Sequence, residues 1–478
     1  MLNWSGILKT IAGLEGVLGA LMLIVPLIDI LTRKPVSYPF LIGGALFLLV
    51  GVLSERIEAK PLSLQDSLVV VSLAWPLISL EAAVALMLTI NVSFIDAWFE
   101  SISGFTGTGF TVLSGIDYMK PSIVTWRSIM QWSGELGFVV FAMVILPYFY
   151  HIGKGAYGVE RPVKIEASFY RTAKLLIKIY IVLTLVGLIS YLYAGMNLYE
   201  AFNHILTTIA TGGMSTYDAG YQVIFDRAPY TYIPVMIFMF IGGMNFYIIA
   251  RVLRGDIKSL WRSEEFRIYV YSMAVLTMLM IISYIYVEKT SITYSLIAGS
   301  FNFISGMTTT GFSIGSIADL SDASKAILIA GMFIGGMMFS TAGGIKAIRL
   351  LIIVKKLKDV AVKAVLAAPI EKRVVIDGNP LSEDEVSQAL LFIILHASLI
   401  FLGALAMSFY GYRFIDALFE ATSAAGCVGL SVGVVSPTAP VGVKIVIMVL
   451  MLLGRLEYVQ LTLLLAYITS RKALRMLY

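Results

Sequence analysis

A chain of 478 residues that is 59% hydrophobic and only 14% charged, with a mean hydropathy of +0.88, holds too much apolar surface for one water-soluble core and reads as a polytopic membrane protein. The net charge of +5 is too small to support a nucleic-acid partner. A single cysteine, Cys427, excludes an internal disulfide, and three scattered histidines (His151, His204, His396) lack metal-ligand spacing.

Two apolar spans lead the chain, residues 6–31 and 38–54. The first is too long for a signal-peptide core and no small-residue cleavage pattern follows it, so a retained helix is expected. Four units of one plan come next: helix, short helix, polar glycine-containing string, helix. In unit one the helices fall near 67–90, 94–106 and 123–149 around FTGTGFT, and in unit two near 175–194, 197–209 and 230–252 around IATGGMS. Unit three places them near 268–287, 292–307 and 325–354 around TTTGFSI, and unit four near 386–409, 413–425 and 441–469 around GCVGLSV. The short middle helix cannot cross about 30 Å of hydrocarbon, so each must enter and leave by one face, buried in protein or lining water. The expected fold class is an all-α polytopic membrane protein with four parallel helix/pore-loop/helix repeats in a pseudo-fourfold ring plus two N-terminal transmembrane helices. Its divisions are 1–60 for the leading helices, 61–160, 161–262 and 263–372 for repeats one to three, and 373–478 for a cytoplasmic hairpin and repeat four.

Basic residues crowd the links between units: Lys154, Arg161, Lys164, Arg171, Lys174 and Lys178; then Arg251, Arg254, Lys258, Arg262 and Arg267. The third link is the most basic, with Lys346, Arg349, Lys355, Lys356, Lys358, Lys363, Lys372 and Arg373, and Arg471, Lys472 and Arg475 close the chain. The positive-inside rule makes these segments cytoplasmic and turns all four re-entrant loops outward, against a minor exception at Arg33 and Lys34. Within the third link, Asp377-Gly378 after a β-branched run predicts a small hairpin, and Ser382 with Glu385 three residues on predicts a capped helix start.

The four strings share a register. Ten residues before Gly109, Gly212, Gly311 and Gly429 stand Phe99, Phe202, Phe301 and Phe419, each followed by a polar residue: Glu100, Asn203, Asn302 and Glu420. Glycine can take φ > 0 and turn a carbonyl toward an axis, so the strings read as four quarters of one carbonyl filter for a dehydrated cation. The candidate ligands are Gly107, Thr108 and Gly109; Ala210, Thr211 and Gly212; Thr309, Thr310 and Gly311; and Cys427, Val428 and Gly429. Because the four loops are unequal, relaxed rather than extreme discrimination is expected. Glu100 and Glu420 could attract cations at the outer mouth or hydrogen-bond backbone behind the filter. Glu200 and His204 read as helix capping and solvation rather than chemistry.

A second correspondence runs through the last helices: Gly134-Glu135, Gly242-Gly243, Gly335-Gly336 and Gly454-Arg455. Ionisable groups inside apolar spans face one another or a cavity, so Glu135 and Arg455 form a possible pore ion pair, either tying two helices or placing a cation near the axis. Unit three alone packs Gly335, Gly336, Ser340, Thr341, Ala342, Gly343, Gly344 and Lys346 into its last helix. That is either a close helix contact or a break beneath the filter, a candidate gate together with Arg455.

The filter register, STAGGIK at residues 340–346 and GRLE at 454–457 together resemble the TrkH/KtrB superfamily of potassium transporters, with the two leading helices similar to its TrkH branch. The resemblance covers nearly the whole chain. It implies potassium uptake across the cytoplasmic membrane through a channel-like pore, potassium as the bound ion and a homodimer. It also implies a gating loop at residues 335–346, Arg455 beneath the filter, and a cytoplasmic ring of TrkA-like nucleotide-binding subunits on the basic inner face, with no cofactor in this chain. Two positions depart from the family pattern: Glu135, where a second glycine is frequent, and Cys427, where threonine is common. An inverted-repeat secondary transporter coupled to sodium or protons is the alternative, and a membrane enzyme would need clustered ionisable groups at catalytic spacing.

Overall fold

The computed structural model describes residues 2–149, 162–366 and 373–458. His151, Lys154, Arg161, Lys372, Arg471, Lys472, Arg475 and residues 459–469 of the expected last helix lie outside the described residues. Among the described residues five helices are long and apolar enough to cross a membrane, Trp4–Leu31, Gln65–Ile90, Ala173–Tyr193, Glu264–Tyr286 and Glu383–Ser408. The chain is a multi-pass, mostly helical protein.

The leading pair packs through glycine. A Cβ on Gly19 would lie 2.4 Å from the Leu48 backbone nitrogen and one on Gly16 would lie 2.8 Å from the Gly51 Cα, so Trp4–Met22 and Tyr38–Ser54 approach backbone to backbone. Small-residue contacts of this kind drive helix association in lipid. Unit one then opens at Ser63, whose hydroxyl and Asp66 carboxylate complete a capping box for Leu64–Ile90.

Each unit contains a buried half-helix, and in three of them a side-chain cap sets its start. Ser93 caps Phe94–Phe105, and Asn197 with Glu200 forms a capping box on Leu198–Ile209. Ser291 caps a third segment that runs from Ile292–Tyr294 through a wider turn at Ser295–Gly299 into Ser300–Met307. Phe414–Ala425 follows Arg413, with no side-chain cap. The half-helices end at Phe105, Ile209, Met307 and Ala425, and irregular chain carries each on to its last helix.

The last helices differ more than the sequence suggests. Pro121–Phe149 runs unbroken through Glu135. In unit two the expected single helix is two, Pro229–Gly242 and Phe246–Leu253, bent by 110°. In unit three Asp322–Ile334 stops, residues 335–346 are irregular, and Ala347–Leu366 resumes. In unit four Val441–Arg455 ends before the expected boundary, and Glu457 (φ 47°) and Tyr458 (φ 61°) take left-handed backbone. The hairpin forms as Val375–Ile376 paired antiparallel with Asn379–Pro380 across Asp377 (φ 48°) and Gly378 (φ 82°), and Ser382 and Glu385 box the next helix. It is a packed element rather than a free loop: Val374 and Ile376 are buried with Ile348 and Ile352, and Asp377 accepts the Glu264 amide at 2.7 Å.

Candidate functional site: a closed ring of four loops

The loops that leave the four half-helices meet one another in order. A Cβ built on Gly109 would sit 1.9 Å from the Gly212 carbonyl oxygen, one on Gly213 2.0 Å from that of Thr310, one on Gly311 2.1 Å from that of Val428, and one on Gly429 2.1 Å from that of Thr108. Loop one touches two, two touches three, three touches four, and four returns to one. No residue but glycine fits those four places, both for space and because their φ angles are 90°, 72°, 90° and 86°.

This geometry corrects the register of unit two by one residue. Gly213, not Gly212, corresponds to Gly109, Gly311 and Gly429. The triplets are therefore Gly107-Thr108-Gly109, Thr211-Gly212-Gly213, Thr309-Thr310-Gly311 and Cys427-Val428-Gly429. Ala210 falls at the helix end with Thr106, Thr308 and Gly426. Burial agrees: Phe99, Phe301 and Phe419 are fully buried, whereas Phe202 is 40% exposed. The first residue of every triplet is also left-handed (Gly107 67°, Thr211 49°, Thr309 57°, Cys427 53°). Left-handed residues alternating with right-handed ones point successive carbonyls to one side. The amides point back, with Thr108, Gly212, Thr310 and Val428 donating to Ser103, Thr207, Ser305 and Ser423 carbonyls at 2.8–3.0 Å.

Behind each loop one polar side chain of the half-helix holds the outgoing strand, and all four are buried. Glu100 accepts from the Thr111 hydroxyl at 3.0 Å and is paired with Arg127 at 2.6 Å. In unit two the position belongs to His204, not Asn203: Nδ1 meets the Glu200 carbonyl at 2.9 Å and Nε2 meets the Ser215 hydroxyl at 3.0 Å. Since a carbonyl only accepts, Nδ1 carries the proton and Nε2 accepts from Ser215. Asn302 exchanges two bonds of 2.8 Å with the Ile314 backbone. Glu420 Oε1 accepts from the Ser431 hydroxyl at 2.5 Å and from the amides of Val432, Val434 and Val435 at 3.1–3.3 Å. Glu100 and Glu420 thus brace the loops from behind, and the Glu200–His204 neighbourhood does structural work, Glu200 also binding Tyr217 and Arg227.

Each seam between units carries a polar clamp. Arg127 Nη1 donates to the Ser215 carbonyl at 2.9 Å, and the Gly315 amide donates to Gln222 at 2.7 Å. Lys325–Asp416 at 2.8 Å and Lys444–Asp96 at 2.6 Å repeat one arrangement at the other two seams.

Residues 335–346 lie directly against the ring. The Gly343 amide donates to the Thr309 hydroxyl at 2.8 Å, the Thr341 hydroxyl reaches the Ile209 carbonyl at 3.1 Å, and a Cβ on Gly343 would come within 1.9 Å of the Gly426 carbonyl oxygen. The segment also satisfies the break in unit two: Met337 donates to the Gly243 carbonyl at 2.9 Å and Phe246 donates to that of Phe339 at 3.2 Å. Lys346 Nζ turns back onto the Ala342 carbonyl, while Gly335 and Gly344 pack backbone to backbone, a Cβ on Gly335 lying 2.0 Å from the Gly343 oxygen. Gly336 accepts from Ala347 at 2.8 Å, and Ser340 donates to Met337 at 2.5 Å.

The structure joins Glu135 and Arg455, Oε2 to Nη2 at 2.6 Å, with both side chains 1–2% exposed. Glu135 sits under loop one, where a Cβ on Gly107 would strike its Oε1 at 1.9 Å, and Arg455 Nη1 reaches the Thr341 carbonyl at 3.5 Å. Sequence reasoning missed the second ion pair at this level, Arg349–Glu457 at 2.6 Å, and the His396–Tyr458 contact beside it. The only local signal was the run of ionisable residues in GRLE.

The sequence matches the family model described as TrkH, cation transport protein, over residues 38–474. It is 32% identical to an uncharacterized cation transporter of Methanocaldococcus jannaschii over 480 residues, covering 99% of this chain and 97% of the relative. It is also 32% identical to the Trk system potassium uptake protein TrkH of Halomonas elongata, covering 85% of this chain and 86% of that one. The crystal structure of the potassium transporter TrkH from Vibrio parahaemolyticus superposes with a TM-score of 0.86 at 26% identity, covering 97% of this chain and 98% of that one.

Proposed function

Because the chain belongs to the TrkH family of cation transport proteins, we propose that it takes up potassium through a channel-like pore whose selectivity filter is the ring of four loops. The observation that carries this reading is the cyclic closure of Gly109, Gly213, Gly311 and Gly429 on neighbouring carbonyls. A dehydrated cation needs a fixed cage of oxygens, and four loops with carbonyls turned one way supply it from a single chain.

Residues 335–346 act as the gate in this proposal. Their glycines, Ser340, Thr341, Ala342 and Lys346 fill the space under the ring, and every bond they make to units two and four must be exchanged for the path to open. Arg455, held by Glu135, sets an electrostatic barrier at the same level. The pseudo-fourfold repeats follow the divisions at residues 61, 161, 263 and 373. The basic links face the cytoplasm, the loops face outward, and the protein resides in the cytoplasmic membrane as a homodimer. TrkA-like nucleotide-binding subunits dock on the inner face, and any nucleotide binds there rather than to this chain. Potassium is cargo, so we assign no resident cofactor and no catalytic residue.

The test is growth of cells lacking their own potassium uptake on low-potassium medium. Expression of this chain restores growth and Gly429→Ser abolishes it at equal membrane abundance. Growth restored equally by both would refute the filter assignment.

A further inference from the structure

Three of the four loops carry a side chain at the middle of the triplet: Thr108, Thr310 and Val428. The second carries Gly212, which leaves a gap and the freest backbone of the ring just where carbonyl position matters. The gap is filled from outside the loop. A Cβ on Gly212 would lie 2.4 Å from Gln131 Cδ, 2.6 Å from its Nε2 and 2.7 Å from its Oε1, so the Gln131 amide occupies the place that a residue-212 side chain would take.

Gln131 comes from the last helix of unit one and is fully buried. Its Nε2 donates to the Gly212 carbonyl at 2.6 Å and its Oε1 accepts from the Met214 amide at 3.1 Å, so both ends of the amide grip loop two. Three residues before the Gly134, Gly242, Gly335 and Gly454 correspondence, the four last helices carry Gln131, Met239, Met332 and Met451, all buried. The one polar residue at this position lies against the one loop that lacks a middle side chain. Loops one and three also have internal hydroxyl pairs, Thr106–Thr108 and Thr308–Thr310 at 2.8 Å. Their unit-two counterparts, Ala210 and Gly212, have no hydroxyl to pair.

We infer that Gln131 is a specificity-determining positioning residue: a transplanted side chain for loop two that fixes the Gly212 carbonyl in the ring. A carbonyl oxygen has two lone pairs, so accepting from Gln131 leaves the other for an ion. The amide therefore orients this oxygen without withdrawing it. The inference rests on the filter reading above.

The experiment compares potassium and sodium flux in proteoliposomes for wild type, Gln131→Leu, Gly212→Thr, Gln131→Ala with Gly212→Thr, and Gly311→Ser as the control on the filter itself. Gln131→Leu lowers the potassium-to-sodium ratio roughly fivefold, the scale of one net hydrogen bond, with monodisperse protein. Gly212→Thr alone is impaired because its side chain collides with Gln131. The double variant recovers the wild-type ratio, since the Gly212→Thr change supplies the middle side chain that the other three loops already have and the Gln131→Ala truncation makes room for it. A wild-type ratio in Gln131→Leu, while Gly311→Ser loses selectivity, overturns the inference and leaves the filter reading standing. Selectivity unchanged in Gly311→Ser as well overturns the filter reading. If Gln131→Leu does not fold, the double variant decides: recovered selectivity supports the inference, and folded protein with a lowered ratio refutes it.

Discussion

Removing one member of the Glu135–Arg455 pair costs far more than removing both. At 2.6 Å and 1–2% exposure the two charges gain about 4 kcal/mol at an effective dielectric of about 20 and a charge separation of about 4 Å. Glu135→Gln leaves the Arg455 guanidinium buried without its carboxylate, and breaking such a pair costs about 3–5 kcal/mol. Arg455→Met strands Glu135 in the same way, whereas Glu135→Gln with Arg455→Met removes the desolvation of both charges and returns most of the loss. Melting of purified protein in detergent for the four members of this cycle measures the coupling: two single losses of about 3–5 kcal/mol each, mostly recovered in the double variant, make it about 5 kcal/mol or more, well above the roughly 0.5 kcal/mol seen for independent sites. Additive losses would refute the reasoning. Flux measured after the same four proteins are reconstituted in liposomes separates the two roles: Arg455→Met raises flux if the cation is a barrier, and lowered flux in folded protein counts against it.

Gly343→Ala puts a methyl 1.9 Å from the Gly426 carbonyl oxygen and so unseats residues 335–346, raising basal potassium flux in liposomes without a cytoplasmic partner; unchanged flux contradicts the gate. Glu420→Leu strands the Val432, Val434 and Val435 amides at about 1–3 kcal/mol for each buried donor, so melting falls sharply, while Glu420→Gln keeps an acceptor and recovers most of it. Equal melting of the two variants would show that the brace is immaterial. At the exposed residue Asp117, desolvation and then the hydrogen bond and charge of Asp218 hold the carboxyl above the ordinary carboxylate range. A raised folded pKa costs stability as pH climbs from the unfolded value through the folded one, so Asp218→Asn raises the melting temperature at pH 7 and leaves it unchanged at pH 4. The same melting temperature as wild type at pH 7 would contradict this.

Much of the architecture is legible because it repeats. Glycines recur in all four loops and side-chain caps on three of the four half-helices, and Asp377-Gly378 and Ser382/Glu385 announce a hairpin and a helix start through chemistry confined to a few residues. Unit two misleads because ATGG offers two adjacent glycines, and the phenylalanine at 202 favours the wrong one. Counting from the caps Ser93 and Asn197 gives the observed register. The break after Gly242 has no strong local signal: its free carbonyls are taken by Met337 and Thr341 from another unit, and only the fold brings them there. Likewise Glu457 and Tyr458 hold left-handed backbone without being glycine, beside their contacts to Arg349 and His396 across more than sixty residues of sequence. The Glu135–Arg455 pair was legible because an ionisable residue in an apolar span needs a partner. The role of Gln131 was not, since a glutamine among methionines has meaning only once the gap at Gly212 is seen.

The central claim is that the four loops form a potassium-selective filter, and the most direct test is the potassium-to-sodium flux ratio of purified protein in liposomes, measured beside Gly311→Ser. A side chain at residue 311 would strike the Val428 carbonyl oxygen 2.1 Å away, so the account predicts potassium-selective flux in the wild type and a collapsed ratio in the folded variant. An equal ratio in both would contradict it.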